Sequence, residues 1–334
     1  MKIGFTSTIP VEAIYAAGHT PVDLNNIFVL SGKSAALVAN AKMQGFPDTT
    51  CAWICGLYST ALEAGIDALI GVTGGDCSET LALMEVLAGK GIDIIPFSYP
   101  HTPDRAEIRK NIETLAVTLG TDMTAVQEWK DSLDEVRATA ADVDRLLWRD
   151  NKGPGETARL IQLSCTDFES DPIAFHEKIK KQRDDISAES ARNDVIRLGV
   201  CGVPPIISDL YAAIERNGCR VVFSEVERQF SLPFPGDIAS AYSEYTYPYG
   251  MPVRVKDINS AVQERKLDGI IHYVQSFCFR SIEDIVLRNS LSVPVLTLQG
   301  DLPSRVSETM GIRIEAFVDM LTRRKEKALA EKGL

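Results

Sequence analysis

Two cysteines stand at matching places in the two halves of the chain. Asp67-Ala-Leu-Ile-Gly-Val and Asp268-Gly-Ile-Ile-His-Tyr-Val each lead to a cysteine ten residues after the aspartate, Cys77 and Cys278, and a helical pattern follows each. If both runs are parallel strands, their carboxyl ends deliver the two thiols to the ligand-binding edges of their sheets. A third cysteine, Cys51, closes the run Asp48-Thr49-Thr50-Cys51, whose residue types suit the N-cap region of a helix running to about Glu63. Helix N-termini favour thiolates, and three thiolates suit an iron–sulfur cluster with one iron left without a cysteine. The alternative is that free cysteines are small buried hydrophobes. Spacing alone does not decide, because the three are far apart and form no compact motif.

The other reactive side chains read differently. Cys55, one turn after Cys51, reads as a neighbour or packing residue rather than a ligand, and Cys201 and Cys219 sit in apolar strand patterns. Cys165 has no reading. His272 lies inside an apolar strand pattern, and His19 and His101 lie at loop ends. Ser31-Gly32-Lys33-Ser34 ends like a phosphate-binding loop, but Ile27 stands where the first glycine belongs, so no ATPase is read. Gly199-Val-Cys-Gly202-Val-Pro204-Pro205 lacks the dinucleotide spacing and reads as a tight strand-to-helix turn. Glu12 follows Pro10 at a helix start, where a carboxylate favours the helix end; a polar role near the cluster is the other option.

These residues need a scaffold, and the pattern supplies one. Apolar runs alternate with segments of helical period, which predicts an α/β fold with mainly parallel strands. Four strands are expected in the first half, Lys2 to Thr6, Pro21 to Leu24, Asp67 to Val72 and Ile92 to Phe97. Four more are expected in the second, Ile196 to Gly202, Cys219 to Glu225, Asp268 to Val274 and Val293 to Leu298. The expected organisation is two Rossmann-like parallel-sheet domains, 1–110 and 195–302, with a helical connector, 111–194, broken at Asn151 to Gly155, and a C-terminal helix, 303–334. A cleft should lie between the strand carboxyl edges.

Composition bounds the partners. The chain has 334 residues, 45% apolar and 24% charged, which excludes disordered and fibrous classes. Its net charge of −11, with no basic block before the short Arg323 to Lys327 run, argues against nucleic acid and anionic membrane. No apolar run approaches the roughly 20 residues of a membrane span, and Met1 leads into Lys-Ile-Gly-Phe-Thr-Ser without a signal pattern. A cytoplasmic location is expected, and seven cysteines there do not read as a disulfide framework.

The residues around the cysteines carry a resemblance. GFTSTIPVEAIYAAGHTPVDL, then DTTCAWICGLYSTAL, DALIGVTGGDCSETLALMEVL, DGIIHYVQSFCFRSIED and PVLTLQGD with RIEAFVDML occur in this order. Together they resemble the 2-hydroxyacyl-CoA dehydratase and benzoyl-CoA reductase family, in its cluster-bearing D-component type. The resemblance covers nearly the whole chain, least characteristically in the connector. It implies that Cys51, Cys77 and Cys278 hold a 4Fe-4S cluster and that Ser7, three residues before Pro10, lies near the open iron. Two segments depart from the family pattern: Asp76 precedes Cys77 and Ser78 follows it where Cys-Asp is usual, and the third cysteine stands in Gln275-Ser-Phe-Cys278-Phe. A relative with a double-cubane cluster would need more ligands than the three matched.

The resemblance also implies the chemistry. Water is eliminated from a 2-hydroxyacyl-CoA whose C3 hydrogen is not acidic, by a low-potential electron that reaches the thioester carbonyl and lets the resulting ketyl expel the hydroxyl. Ser7 and Glu12 are the catalytic candidates. The chain has no ATPase signature, so the implied donor is a separate ATP-dependent iron–sulfur activator protein, and the implied assembly is a homodimer or a pair with a homologous second subunit in anaerobic cytosol. The other readings are an electron-relay subunit without catalysis, or a reductase of benzoyl-CoA type or of small molecules. A cluster-free binding module with two α/β halves is the least favoured. A basic, CoA-length channel would favour the acyl-CoA substrate, and a closed small cavity would oppose it.

Overall fold

All eight expected strands form, each ending within two residues of its expected span. The computed structural model describes residues 1–193 and 195–331. Residue 194 of the connector and 332–334 of the expected C-terminal helix lie outside the described residues. The first half contributes β1 (Lys2–Phe5), β2 (Thr20–Asp23), β3 (Ala68–Gly74) and β4 (Asp93–Ser98). The second contributes β5 (Ile196–Gly202), β6 (Cys219–Ser224), β7 (Gly269–Val274) and β8 (Val295–Gln299).

The strands form two four-stranded sheets, ordered β2-β1-β3-β4 and β6-β5-β7-β8, and every pairing is parallel. The fold is therefore α/β with two Rossmann-like sheets. Corresponding strands pair at the centres, Ile3 beside Ala68 and Leu198 beside Gly269. Parallel sheets bury both faces under helices, so their strands read as continuous apolar runs. All six residues of β7 are buried. At the end of β5, Gly202 has φ +100°, and a Cβ there would lie 2.2 Å from the Tyr273 carbonyl oxygen. That turn therefore requires glycine.

Between the sheets run the helices Arg105–Leu119, Met123–Trp148, Gly155–Ser164 and Pro172–Ala188. Asp104, Asp122 and Asp171 each accept backbone N–H groups at helix starts, and Gly120 ends the first helix in the left-handed region. The long helix Met123–Trp148 packs on the short helix Glu12–Ala16 of the first half, and Gly155–Ser164 packs on β6. One apolar interior consequently runs from Ile3 and Ile70 through Val136 and Ile161 to Phe223 and Ile270. The C-terminal helix Glu308–Glu331 buries Met310, Ile314, Phe317, Val318 and Leu321, an amphipathic spacing that seats it against β5 and β8. No described helix is long and apolar enough to cross a membrane.

Candidate functional site

In each sheet the strand order reverses between its two central strands, β1 and β3 or β5 and β7, which opens a crevice at the carboxyl ends of those strands. Both crevices open onto one cavity. Thr6, Ser7 and Thr8 come from the end of β1, Asp76 and Cys77 follow β3, and Val203 and Pro204 follow β5. Gln275, Cys278 and Arg280 follow β7, and Cys51 with Trp53 comes from the start of the helix Ala52–Ala64. The cavity has an interior volume of about 110 Å³, smaller than the roughly 300–1,000 Å³ usual for ligand sites.

The three candidate cysteines are thus on one wall system, each partly exposed. Their local settings match. Cys51 is the N-cap residue of Ala52–Ala64, a place the sequence assigned to the Asp48 to Thr50 run. Cys77 lies two residues before the helix Glu79–Ala88, and Cys278 is the N-cap of the single turn Phe279–Ser281. In each case the backbone N–H two residues on, of Trp53, Glu79 or Arg280, favours the thiolate. Burial works against those amides and prevails. It pushes Cys51 up to about 11 and Cys77 up to about 12, and raises Cys278. The Cys51 thiol donates to Gln275 Oε1 at 3.7 Å, which ties a loop of the first half to the β7 end of the second.

Such thiols ionise only with a compensating cation. Cys51 and Cys278 would repel as anions, as would Cys51 and Cys77, and metal binding supplies the charge that removes their protons. Among the described residues no group of three or more His, Cys, Asp or Glu side chains could hold a single metal ion. A cluster makes a different demand, because each cysteine meets its own iron and the sulfurs need not converge on one point. Three thiols on one cavity, each with a helical-turn amide favouring its anion, fit that demand.

The remaining wall is apolar with a polar pole. Val29, Ile54, Leu57, Leu163, Val226 and Phe230 supply the apolar part. Ser7 lies beside Asp76, whose carboxyl burial raises to about 6 while nearby Arg280 holds it down. The Tyr245 hydroxyl, the Trp53 indole N–H and the Asn26 amide oxygen lie in lining side chains and have no hydrogen-bond partner among the described residues. Arg280 is the one cationic side chain among the described lining residues.

Ser7 therefore faces the cavity, and it does not cap the following helix, whose N-cap is Val11. Glu12 is placed elsewhere. It is fully buried, receives Arg137 Nη2 at 2.7 Å and the Tyr242 hydroxyl at 3.0 Å, and is not among the cavity-lining residues. Its carboxylate joins three elements and stands apart from the cavity-lining set.

Cys55 is fully buried in the core, and Cys165, Cys201 and Cys219 are buried too, Cys165 donating to Ile161 O at 3.3 Å. His272 is buried with Nδ1 2.9 Å from Asp284, while Nε2 has no partner among the described residues. His19 and His101 do not line the cavity. The sequence reading missed Arg280, Tyr245 and Trp53. Arg280 carried a signal in standing two residues after Cys278; Tyr245 carried none.

The family model for the 2-hydroxyglutaryl-CoA dehydratase D-component matches residues 6–321. The chain belongs to this family. The match includes every segment that lines the cavity between the sheets as well as the connector between them. No curated protein matches the chain. As a D-component family member, it is a dehydratase-like subunit of an enzyme built from more than one component.

Proposed function

We propose that this D-component is the iron–sulfur subunit of a 2-hydroxyacyl-CoA dehydratase-like enzyme, with Cys51, Cys77 and Cys278 holding a 4Fe-4S cluster. The observation that carries the reading is the meeting of three thiols from three separate loops on one cavity, each beside an amide that favours its anion. The cluster would supply a low-potential electron and, at an iron without a cysteine, a Lewis acid. The chain's own residues do the rest. Phe230, Val226 and Leu163 keep water from the apolar wall, Ser7 and Asp76 present a hydroxyl and a carboxyl at the polar pole, and Tyr245 offers an unpartnered hydroxyl to a bound oxygen. The electron would come from a separate ATP-dependent activator, and the working unit would pair this chain with a second copy or a homologous subunit.

A second reading, an electron-relay subunit or a reductase of small molecules, is favoured by the cavity wall. Arg280 alone among the described lining residues is cationic, so the phosphates of CoA meet no basic channel inside the cavity. Anaerobic loading with iron and sulfide, followed by metal and sulfide analysis and visible spectroscopy, tests the shared premise. Cys51→Ser, Cys77→Ser and Cys278→Ser should each abolish the cluster absorption, and Cys219→Ser should leave it. Turnover of a 2-hydroxyacyl-CoA with an activator then separates the two readings. A chain that binds no iron and sulfide would overturn both.

A further inference from the structure

A chain of four charged side chains runs from the second sheet to the cavity. Glu225, just beyond β6, accepts the backbone N–H of Gly202 at 3.0 Å and pairs with fully buried Arg254 through two contacts, at 2.7 and 2.9 Å. Arg254 also pairs with Glu283, and Glu283 receives Arg280 Nη1 at 3.2 Å. Arg280 is 3% exposed, and its other terminal nitrogen donates to the Tyr247 carbonyl at 2.7 Å. Its guanidinium carbon lies 4.0 Å from the Tyr247 ring centre and 4.9 Å from that of Phe279. A guanidinium anchored through both terminal nitrogens and stacked on two rings is held in one orientation.

The order of the charges matters. Two acids and two arginines balance in number, but Arg280 lines the cavity whereas Glu225, Arg254 and Glu283 do not. The chain thus presents its positive end to the thiols. Adding an electron to a buried centre adds negative charge, so a fixed cation in a low-dielectric wall stabilises the reduced form and raises the reduction potential.

We propose that Arg280, held by Glu283 and Tyr247, sets the reduction potential of the cluster bound by Cys51, Cys77 and Cys278. This rests on the cluster reading above. Arg280 is a positioning charge rather than a catalytic residue, fixed by Glu283 and Tyr247 on the wall that carries the three thiols.

The test is an anaerobic redox titration of the full chain loaded with iron and sulfide, followed by electron paramagnetic resonance and visible absorption. Arg280→Gln should move the midpoint to a more negative potential, and Arg280→Lys should stay closer to the parent. Glu283→Gln removes the acid behind the arginine and should move the midpoint the opposite way. Shifts of opposite sign follow from charge and not from loosened packing. Unchanged midpoints in loaded Arg280→Gln and Glu283→Gln overturn the proposal while leaving the cluster reading intact, and so do midpoints that both move in one direction. If Arg280→Gln does not fold, the direction of the Glu283→Gln shift decides. A parent chain that takes up no iron and sulfide overturns the cluster reading, and this proposal with it.

Discussion

Ser7 shows what a single hydroxyl can decide. It lines the cavity beside Asp76 and leaves the helix start at Val11 to form without it. Ser7→Ala should therefore cost no more than the net worth of one hydroxyl's hydrogen bonding, about 0.5–1.5 kcal/mol. It should leave cluster absorption unchanged and lower turnover with an activator and a 2-hydroxyacyl-CoA. Thermal denaturation beside a turnover assay checks both halves, and full turnover in Ser7→Ala would move the assignment toward the relay reading. Tyr245 stands at the same scale. The residue is 1% exposed and its hydroxyl has no hydrogen-bond partner among the described residues, so Tyr245→Phe removes a polar atom left unsatisfied there. Replacing such a group by an apolar one of the same shape is nearly neutral or stabilising. An unchanged or raised Tm with weakened ligand binding is the expected result.

At the scale of elements, Asp237 caps the helix Ile238–Glu244 by accepting the Ser240 N–H at 2.8 Å and pairs with Arg105 across the two halves. The Arg105 partner and the Ser240 amide hold its carboxyl down at about 2. A carboxyl lowered in the folded state stabilises above its unfolded value near 3.9, and that contribution is lost as pH falls through about 2. Asp237→Ala should cost about 1 kcal/mol as a lost cap at neutral pH. Its effect on Tm should shrink as the pH drops from about 4 to 2, and a cost independent of pH in that window would refute the assignment. The elements themselves were readable, because apolar runs of strand length alternate with helical period, and β5 begins and ends where the pattern from Ile196 to Gly202 does. The places of Cys77 and Cys278 beyond β3 and β7 were readable for a topological reason, since parallel strands send their carboxyl ends to one edge, whereas Cys51 was read from the helix start that follows it. Tyr245 was not, and of Arg280 only its place two residues after Cys278 was. Their significance lies in what they face across the cavity, and no local period or spacing encodes a contact between segments more than a hundred residues apart.

The whole molecule is joined where three parts meet at Glu12. The carboxylate belongs to the first half, Arg137 to the long helix Met123–Trp148, and Tyr242 to the helix Ile238–Glu244 of the second half. Both members of the ion pair are nearly or fully buried, and Arg137 Nε has no partner among the described residues. An arrangement of this kind gains little over an apolar contact of equal volume, yet it punishes the loss of either partner because the survivor is left charged in a dry interior. Glu12→Gln should accordingly destabilise the fold by about 3–5 kcal/mol, visible as a lower denaturation midpoint. Arg137→Met combined with Glu12→Leu should recover much of that loss, since the double replacement leaves no unpaired charge. The same pair of variants separates a structural from a catalytic Glu12. The double variant, folded and loaded with iron and sulfide, should turn over at close to the parental rate per folded molecule, because the carboxylate reaches Arg137 and Tyr242 and does not line the cavity. Parental stability with lost turnover would return Glu12 to the site.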